Sequence, residues 1–433
     1  MKKNGFTLVE ITVCVVLLVT IFLLVVPKVN TMINNKKKNA YNSLISTVKD
    51  AAQAYVYLNV NIVDDAIESQ GYYEVSIRTL QENELLENKL ENPLTGKNIP
   101  STSIVKIIKN NEEYIYKFSL DYQYLLEHII DLYSSEETRI SNGLKKDNTP
   151  DQNIRYYGSN PNNYVSFNNE LWKIIGVFGN NVKLVRSEKL GNLSWDSSES
   201  SINGGVGINQ WGESKDADGN EYAGAGLQVY LNKMYYGGTS VTCYGGTKNS
   251  TTTCPTNTLD NTAKALIDNH TWNTGAPNHS TLYNSTTQSY DTVEFYKAER
   301  GTVNGKICSS GTYCNDTVTR TTEWTGYIAL PYVTDWAYAS SENDCNTKID
   351  RSSTYKCKNN NWMHRSTSTW YMSPYAFPNN ATSVWYVYGD GSSGLSLAAD
   401  ALSAFPTIYL KSNVLIESGN GTSSSPYILK AGS

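Results

Sequence analysis

The period of hydrophobic positions changes along the chain, and each change marks an element boundary. From Phe6 to Val26 the residues are almost all apolar, and Glu10 is the one charge among 21 positions. At 1.5 Å per residue such a helix extends about 31 Å, one hydrocarbon thickness. Pro27 follows, where the missing donor kinks a helix. Beyond it Tyr41, Leu44, Ile45, Val48, Ala51, Ala52, Tyr55 and Val56 fall at i, i+3, i+4 spacing, which predicts an amphipathic helix. Further on, Ser103 to Ile108 and Tyr114 to Phe118 read as strands around a tight Asn110, Asn111 turn. Leu125, Leu126, Ile129, Ile130 and Tyr133 predict one more short helix. Residues 134–153 then turn polar, with Ser, Glu, Asn, Asp and Pro150, and read as a linker.

The remainder reads as a strand-rich body. Leu171 to Phe178, then Gly179, Asn180 and Asn181, then Val182 to Arg186 make a hairpin signature. Gly226 to Tyr236 and Ala263 to Ile267 have helical spacing. Tyr327 to Pro331, Ser383 to Tyr388, Pro406 to Leu410 and a last segment at Tyr427 read as strands.

Gly5, Phe6 and Glu10, placed directly before an apolar run, resemble the prepilin motif of type IV pilins and pseudopilins. A signal peptide carries its small residue after the apolar stretch; here Gly5 lies before it, behind Lys2 and Lys3. The resemblance implies cleavage between Gly5 and Phe6 by a prepilin peptidase and N-methylation of Phe6. It implies that Glu10 sets helix register against other pilin subunits. An intramembrane carboxylate is costly without a partner, and the new Phe6 amine of a neighbouring helix is the partner at hand. The body after residue 154 resembles the C-type-lectin-like fold shared with formylglycine-generating enzymes. The expected fold class is therefore α+β. A leader at 1–5 precedes a long pilin helix at 6–59, with a membrane span at 6–26. A small pilin-like α/β body follows at 60–133, a linker at 134–153 and a C-type-lectin-like head at 154–433.

Composition adds a compartment. Only 18% of residues are charged, while there are 32 tyrosines and nine tryptophans; such chains favour pleated sheets. The net charge of −5 argues against a phosphate-backbone partner, so no nucleic acid is expected. Cys14 sits in the apolar run. The other six cysteines fall as near neighbours, Cys243 with Cys254, Cys308 with Cys314 and Cys345 with Cys357. Six cysteines permit fifteen pairings, yet short couples in Ser/Thr/Asn-rich loops suit local disulfides in an oxidising place. Lys28 and Lys36 to Lys38 outnumber Lys2 and Lys3, which by the positive-inside rule points the body inward. The cysteines and the leader outweigh that count. The expectation is a single-pass membrane protein with an extracellular body, delivered to the cell surface or a pilus.

Candidate chemistry is sparse. His270 and His279 lie nine apart, which fits no ordinary metal spacing. Asp216 to Glu221 is oxygen-rich, but its glycine sits too early for an EF-hand, and a solvated turn is the simpler reading. No catalytic triad, metal site or cofactor motif is assigned. The densest contact cluster is Trp362, His364, Arg365, Trp370, Tyr371, Tyr375, Trp385, Tyr386 and Tyr388. Aromatic residues supply stiff contact area at low entropic cost. With Trp370 and Trp385 given to the core, Trp362, Arg365, Tyr371, Tyr375 and Tyr388 are the candidate ligand-binding residues, for an unknown extracellular ligand. The function expected is a low-copy pilin-like subunit carrying a binding head for adhesion or surface recognition. A head of some 280 residues is about 50 Å across, while packed helices lie about 8–10 Å apart, so heads on every subunit would collide. The alternatives are a pseudopilin for secretion or DNA uptake, and an envelope enzyme on a pilin anchor.

Processing is the first testable consequence. Co-expression with a prepilin peptidase should yield a chain starting at methylated Phe6, and Gly5→Val should leave residues 1–5 attached. Intact-mass measurement of both proteins decides it; an unprocessed wild-type chain would sink the prepilin reading.

Overall fold

The computed structural model describes residues 36, 40, 43–93, 97–110, 113–119, 123–197, 209–215, 221–222, 224–303, 306–307, 321–351, 356–376 and 382–432. The chain divides into two compact units, residues 1–123 and residues 124–432.

In the first unit residues 43–58 are helical, and Val48, Ala51, Ala52, Tyr55 and Val56 form a buried stripe as the spacing predicts. Asn59 interrupts the helix, its side chain donating to Tyr55 O, and α1 (Val60–Gln70) begins beyond it. Gly71 closes α1 in the left-handed region at φ 86°, where a β-carbon would be strained. Next come β1 (Tyr73–Ser76), α2 (Ile77–Glu82), β2 (Ile104–Asn110) and β3 (Glu113–Ser119). The three strands form one antiparallel sheet with β2 central, pairing Val75 with Val105 and Val105 with Phe118. A small apolar core lies between this sheet and the helix stripe. Tyr57, Leu58, Val60 and Ile62 remain exposed, and the first three line a hollow of about 550 Å³ with Tyr114 and Tyr116.

The long N-terminal helix of the expected fold class needs correcting. Among the described residues no helix is long and apolar enough to cross a membrane. The single-pass placement expected from residues 6–26 is corrected on the same finding. Gly5, Phe6, Glu10 and Cys14 lie outside the described residues, and a separate α1 follows Asn59.

The second unit opens earlier than the expected 154, at Tyr124. Residues 134–153 are built into it. They contain α4 (Glu136–Asn142), which follows α3 (Leu125–Ser134), and β4 (Leu144–Lys146), ending in buried Asp147, Thr149 and Asn153. Polar composition reads as linker because it shows no periodicity, yet these polar side chains bond one another inside the unit.

The main sheet comprises β5 (Ile154–Tyr156), β6 (Tyr164–Phe167), β7 (Glu170–Phe178) and β8 (Asn181–Arg186) from the first half of the unit. A smaller sheet starts with β9 (Gly191–Ser194), and α5 (Thr292–Glu299) follows far along the chain. Then come β10 (Ile328–Ala329), α6 (Val333–Tyr338), β11 (Thr369–Pro374), β12 (Ser383–Val387), β13 (Ser393–Leu397) and β14 (Ala401–Ala404). The last strands are β15 (Thr407–Leu410), β16 (Leu415–Ser418) and β17 (Tyr427–Lys430). The main sheet runs β10-β15-β8-β7-β6-β17-β16, with β5 joining β7 and β4 joining β5. β17 lies parallel to β6, so the end of the unit closes beside its beginning. The second sheet runs β9-β14-β11-β12-β13. The unit is mixed and strand-rich, with its strands in several sheets.

The β7–β8 hairpin turns at Gly179, φ 56°, with Phe178 opposite Asn181. A bulge after Ile174 shifts the register, and Gly176 then faces Arg155 on β5. A β-carbon at Gly176 would collide with Ile154 O, so glycine is what lets β5 approach.

That approach delivers Arg155 into a charge network sealed inside the unit. Arg155 Nε meets Asp147 Oδ2 at 2.6 Å and its Nη1 meets Asp335 Oδ1 at 2.7 Å. Lys183 Nζ, from β8, meets Asp335 Oδ2 at 2.6 Å. Tyr332 N also donates to Asp335, while Thr149 and Asn153 donate to Asp147. Phe178 and Tyr338 stack on the guanidinium, and Tyr332 lies 4.2 Å from Lys183 Nζ. Burial disfavours the Asp335 charge, but Lys183 and Arg155 outweigh it and hold the carboxyl below its usual range. Burial pulls the Lys183 ammonium down to about 8 against the pull of Asp335.

Removing one member leaves buried charge uncompensated, which costs about 3–5 kcal/mol. Asp335→Asn should therefore lower the stability of the second unit by about that amount. Glu294→Gln, which breaks a part-exposed pair with Lys297 in the same unit, should cost under about 1 kcal/mol. Urea unfolding followed by tryptophan fluorescence, which reports the second unit, checks the contrast; equal small effects would show the network to be dispensable.

Candidate functional site

The five candidate ligand-binding residues separate by depth. Trp362, Tyr371 and Tyr375 are 4%, 2% and 6% exposed, so they belong to the core, whereas Tyr388 is 41% exposed and Arg365 is half-buried. Trp370 and Trp385 are buried as expected, their indole N–H groups bonded to Leu193 O and Pro277 O. Trp385 packs edge-on to Phe295 and Tyr290. The aromatic density of this segment mostly fills space beneath the five-stranded sheet. Tyr388 stands apart against Tyr386.

Trp362 and Arg365 nevertheless meet two residues that sequence reading passed over. Trp362 is held from three sides: its Nε1 donates to Tyr156 O, its backbone N donates to Gly158 O, and the neighbouring Asn361 bonds Trp336 O on α6 and Cys357 O. Arg365 Nη1 donates to Trp362 O at 3.1 Å, and its guanidinium lies 4.9 Å from the Phe405 ring. Lys173 on β7 is the cross-strand neighbour of Tyr164 on β6. Its Nζ sits 4.3 Å from the Tyr164 ring and 5.6 Å from that of Trp362. Burial, then the charge of Arg365, pulls the Lys173 ammonium down to about 8. Burial also lowers Arg365, with Tyr371 and Glu188 opposing. Among the described residues neither cation has a carboxylate within ion-pair distance. The result is a half-buried cationic patch on an aromatic floor. A lysine inside a strand pattern was the available signal; it reads as an ordinary solvated position until Trp362, almost 190 residues away in sequence, is brought beside it.

No family model, curated protein or solved structure matches this chain.

One of the disulfides supports the frame of this patch. Cys243 is bonded to Cys254 and Cys345 to Cys357. The second bond ties the segment carrying Trp362 and Arg365 to the residues just after α6. Cys308, Cys314 and the Asp216 to Asn220 part of the acidic loop lie outside the described residues. Among the described residues no three His, Cys, Asp or Glu side chains gather as a metal would require. His270 stacks on Tyr409 and pairs with Asp268, while His279 bonds Tyr290 and Arg351.

Glu299, at the end of α5, is a carboxyl pushed well above its ordinary value. Burial raises it from 4.5 to about 7, against the Arg300 charge and the hydrogen bonds from Thr334. A carboxyl poised near neutrality is a standard mark of acid–base chemistry. Here it is fully buried and bonded to Thr334 and Ser373, so no substrate reaches it. Its effect falls on stability. The folded pKa lies above the unfolded one, so the contribution is fully present below about pH 4.5 and lost as pH rises through about 7. The stability of wild type minus that of Glu299→Gln should therefore fall by about 3 kcal/mol between about pH 4.5 and pH 8. Paired thermal or urea melts measure it, and a constant difference would contradict the assignment.

Proposed function

We propose that this chain is a low-copy, pilin-like subunit whose second unit is a binding head rather than an enzyme. The observation that carries the reading is the Lys173, Trp362 and Arg365 patch, two half-buried cations with no carboxylate partner among the described residues, held by Tyr156 and Asn361. Fixed, underused cations on a rigid scaffold are what a recognition site presents to a ligand. Glu299, a carboxyl raised toward neutrality, is sealed away from solutes, which weighs against its use in catalysis. The two disulfides suit a head that works in an oxidising compartment. Delivery as a pilin-like subunit rests on Gly5, Phe6 and Glu10 in the sequence. Assembly with other subunits is supported by the exposed apolar row Tyr57, Leu58, Val60 and Ile62, since such patches mark association surfaces.

The test is binding of the intact chain to an array of neutral and acidic glycans and peptides. Saturable binding to at least one class, weakened at least about tenfold in the Lys173→Met, Arg365→Lys double variant, is the expected result. Absence of binding to every class, or turnover of any ligand, would defeat the reading.

A further inference from the structure

The three-stranded sheet of the first unit ends on β3, and what that edge presents goes beyond the binding-head reading and does not depend on it. Among the described residues β3 pairs with β2 alone, in unbroken register from Ile104 opposite Ser119 to Asn110 opposite Glu113. Edge strands are commonly kept short, or interrupted by proline or a bulge, because their outer backbone groups template pairing with another chain. β3 has seven residues and neither interruption. Its side chains alternate: Tyr114, Tyr116 and Phe118 pack on the small core, while Glu113, Ile115 and Lys117 are exposed. Lys117 stands opposite Lys106 on β2, where like charges repel. Among the described residues neither Lys117 nor Glu113 makes an ion pair. The hollow of about 550 Å³ is lined by Tyr114 and Tyr116 and by the helical residues before and after Asn59, with no residue of β1 or β2, so it opens on the β3 side.

We propose that β3 is a self-association edge, through which two copies of this chain join their sheets across a twofold axis at Ile115. The strand is complementary to itself in that register. Laid antiparallel on a second copy, Glu113 falls opposite Lys117, Tyr114 opposite Tyr116 and Ile115 opposite Ile115, and the twofold repeats the first two pairs. Opposite charges and aromatic rings facing one another across strands are stabilising pairs. Successive residues of an antiparallel strand point their backbone groups to alternate sides. Each pair in this register joins positions of the same parity, so outward-pointing groups meet outward-pointing groups. A slip of one residue loses that match and sets core-facing side chains against exposed ones. A slip of two keeps it but parts Glu113 from Lys117. Lys117 therefore repels other strands and accepts this one. On the inner side, Tyr57, Leu58 and Val60 supply exposed apolar surface beside the joined edges.

Sedimentation and disulfide trapping of the full chain in mild detergent test this. The chain should show a concentration-dependent equilibrium of monomer and dimer. Glu113→Lys and Lys117→Glu each set like charges opposite one another twice, and each should weaken the dimer about tenfold or more. The double swap, Glu113→Lys with Lys117→Glu, should restore it. Paired strands bring Cα atoms about 4.5–5.5 Å apart, within disulfide reach. In a Cys14→Ser background, Ile115→Cys should therefore oxidise to a covalent dimer, because position 115 meets its own copy at the twofold. Glu113→Cys alone should not, and Glu113→Cys with Lys117→Cys should. Thermal melts confirm folding, and if Ile115→Cys is unfolded, the charge variants decide alone. A monomer at every concentration, association that folded single charge variants leave unchanged, a folded double swap that stays weak, or trapping of Glu113→Cys as readily as Ile115→Cys would each overturn the proposal.

Discussion

The Asp335 carboxylate is the point on which the second unit turns. One oxygen meets Arg155 on β5 and the other meets Lys183 on β8, while the same group accepts the Tyr332 N–H where α6 begins. Asp147 completes the set, leaving two positive and two negative groups inside a shell of aromatic rings. Withdrawing each ion from water costs several kcal/mol, and only complete pairing offsets it. The arrangement therefore constrains position more than it adds stability. If α6 moved relative to β5 or β8, at least one charge would be left buried and alone.

The same elements carry the surface patch. Arg155 enters the network while the next residue, Tyr156, offers its carbonyl to Trp362. Asn361 reads the Trp336 carbonyl on α6 and the Cys357 carbonyl beside the disulfide. Lys173 lies on β7, which pairs with both β5 and β8. Trp362 and Lys173 thus inherit their positions from strands and a helix already fixed by buried charge. A loop residue such as Arg365 gains from this the definition normally reserved for regular elements.

Cations inside strand patterns were the hardest features to read. Ile154, Arg155, Tyr156 and Val182, Lys183, Leu184 alternate as a half-solvated strand would, with the charge expected to face water. In fact β8 is buried on both faces, and Lys183 meets Asp335 more than 150 positions later. The aromatic segment from Trp362 to Tyr388 posed the opposite problem. Tyrosine and tryptophan serve cores and contact surfaces alike, so composition alone offered no choice between them; packing under the five-stranded sheet buried most of them and left Tyr388 outside.

By itself the sequence determined what depends on near neighbours: the amphipathic stripe from Val48 to Val56, the β7–β8 hairpin around Gly179, the strands at Thr407 and Tyr427, and the cysteine couples 243–254 and 345–357. Periodicity, turn chemistry and short loops act over a few residues, and a single chain displays them openly. Only the tertiary structure decided that residues 134–153 fold into the second unit, that Tyr371 and Tyr375 are core, and that Lys173 and Arg365 both meet Trp362. Those outcomes follow from contacts between residues scores to hundreds of positions apart, whose free energy comes from mutual burial and charge pairing and leaves no local pattern in the sequence.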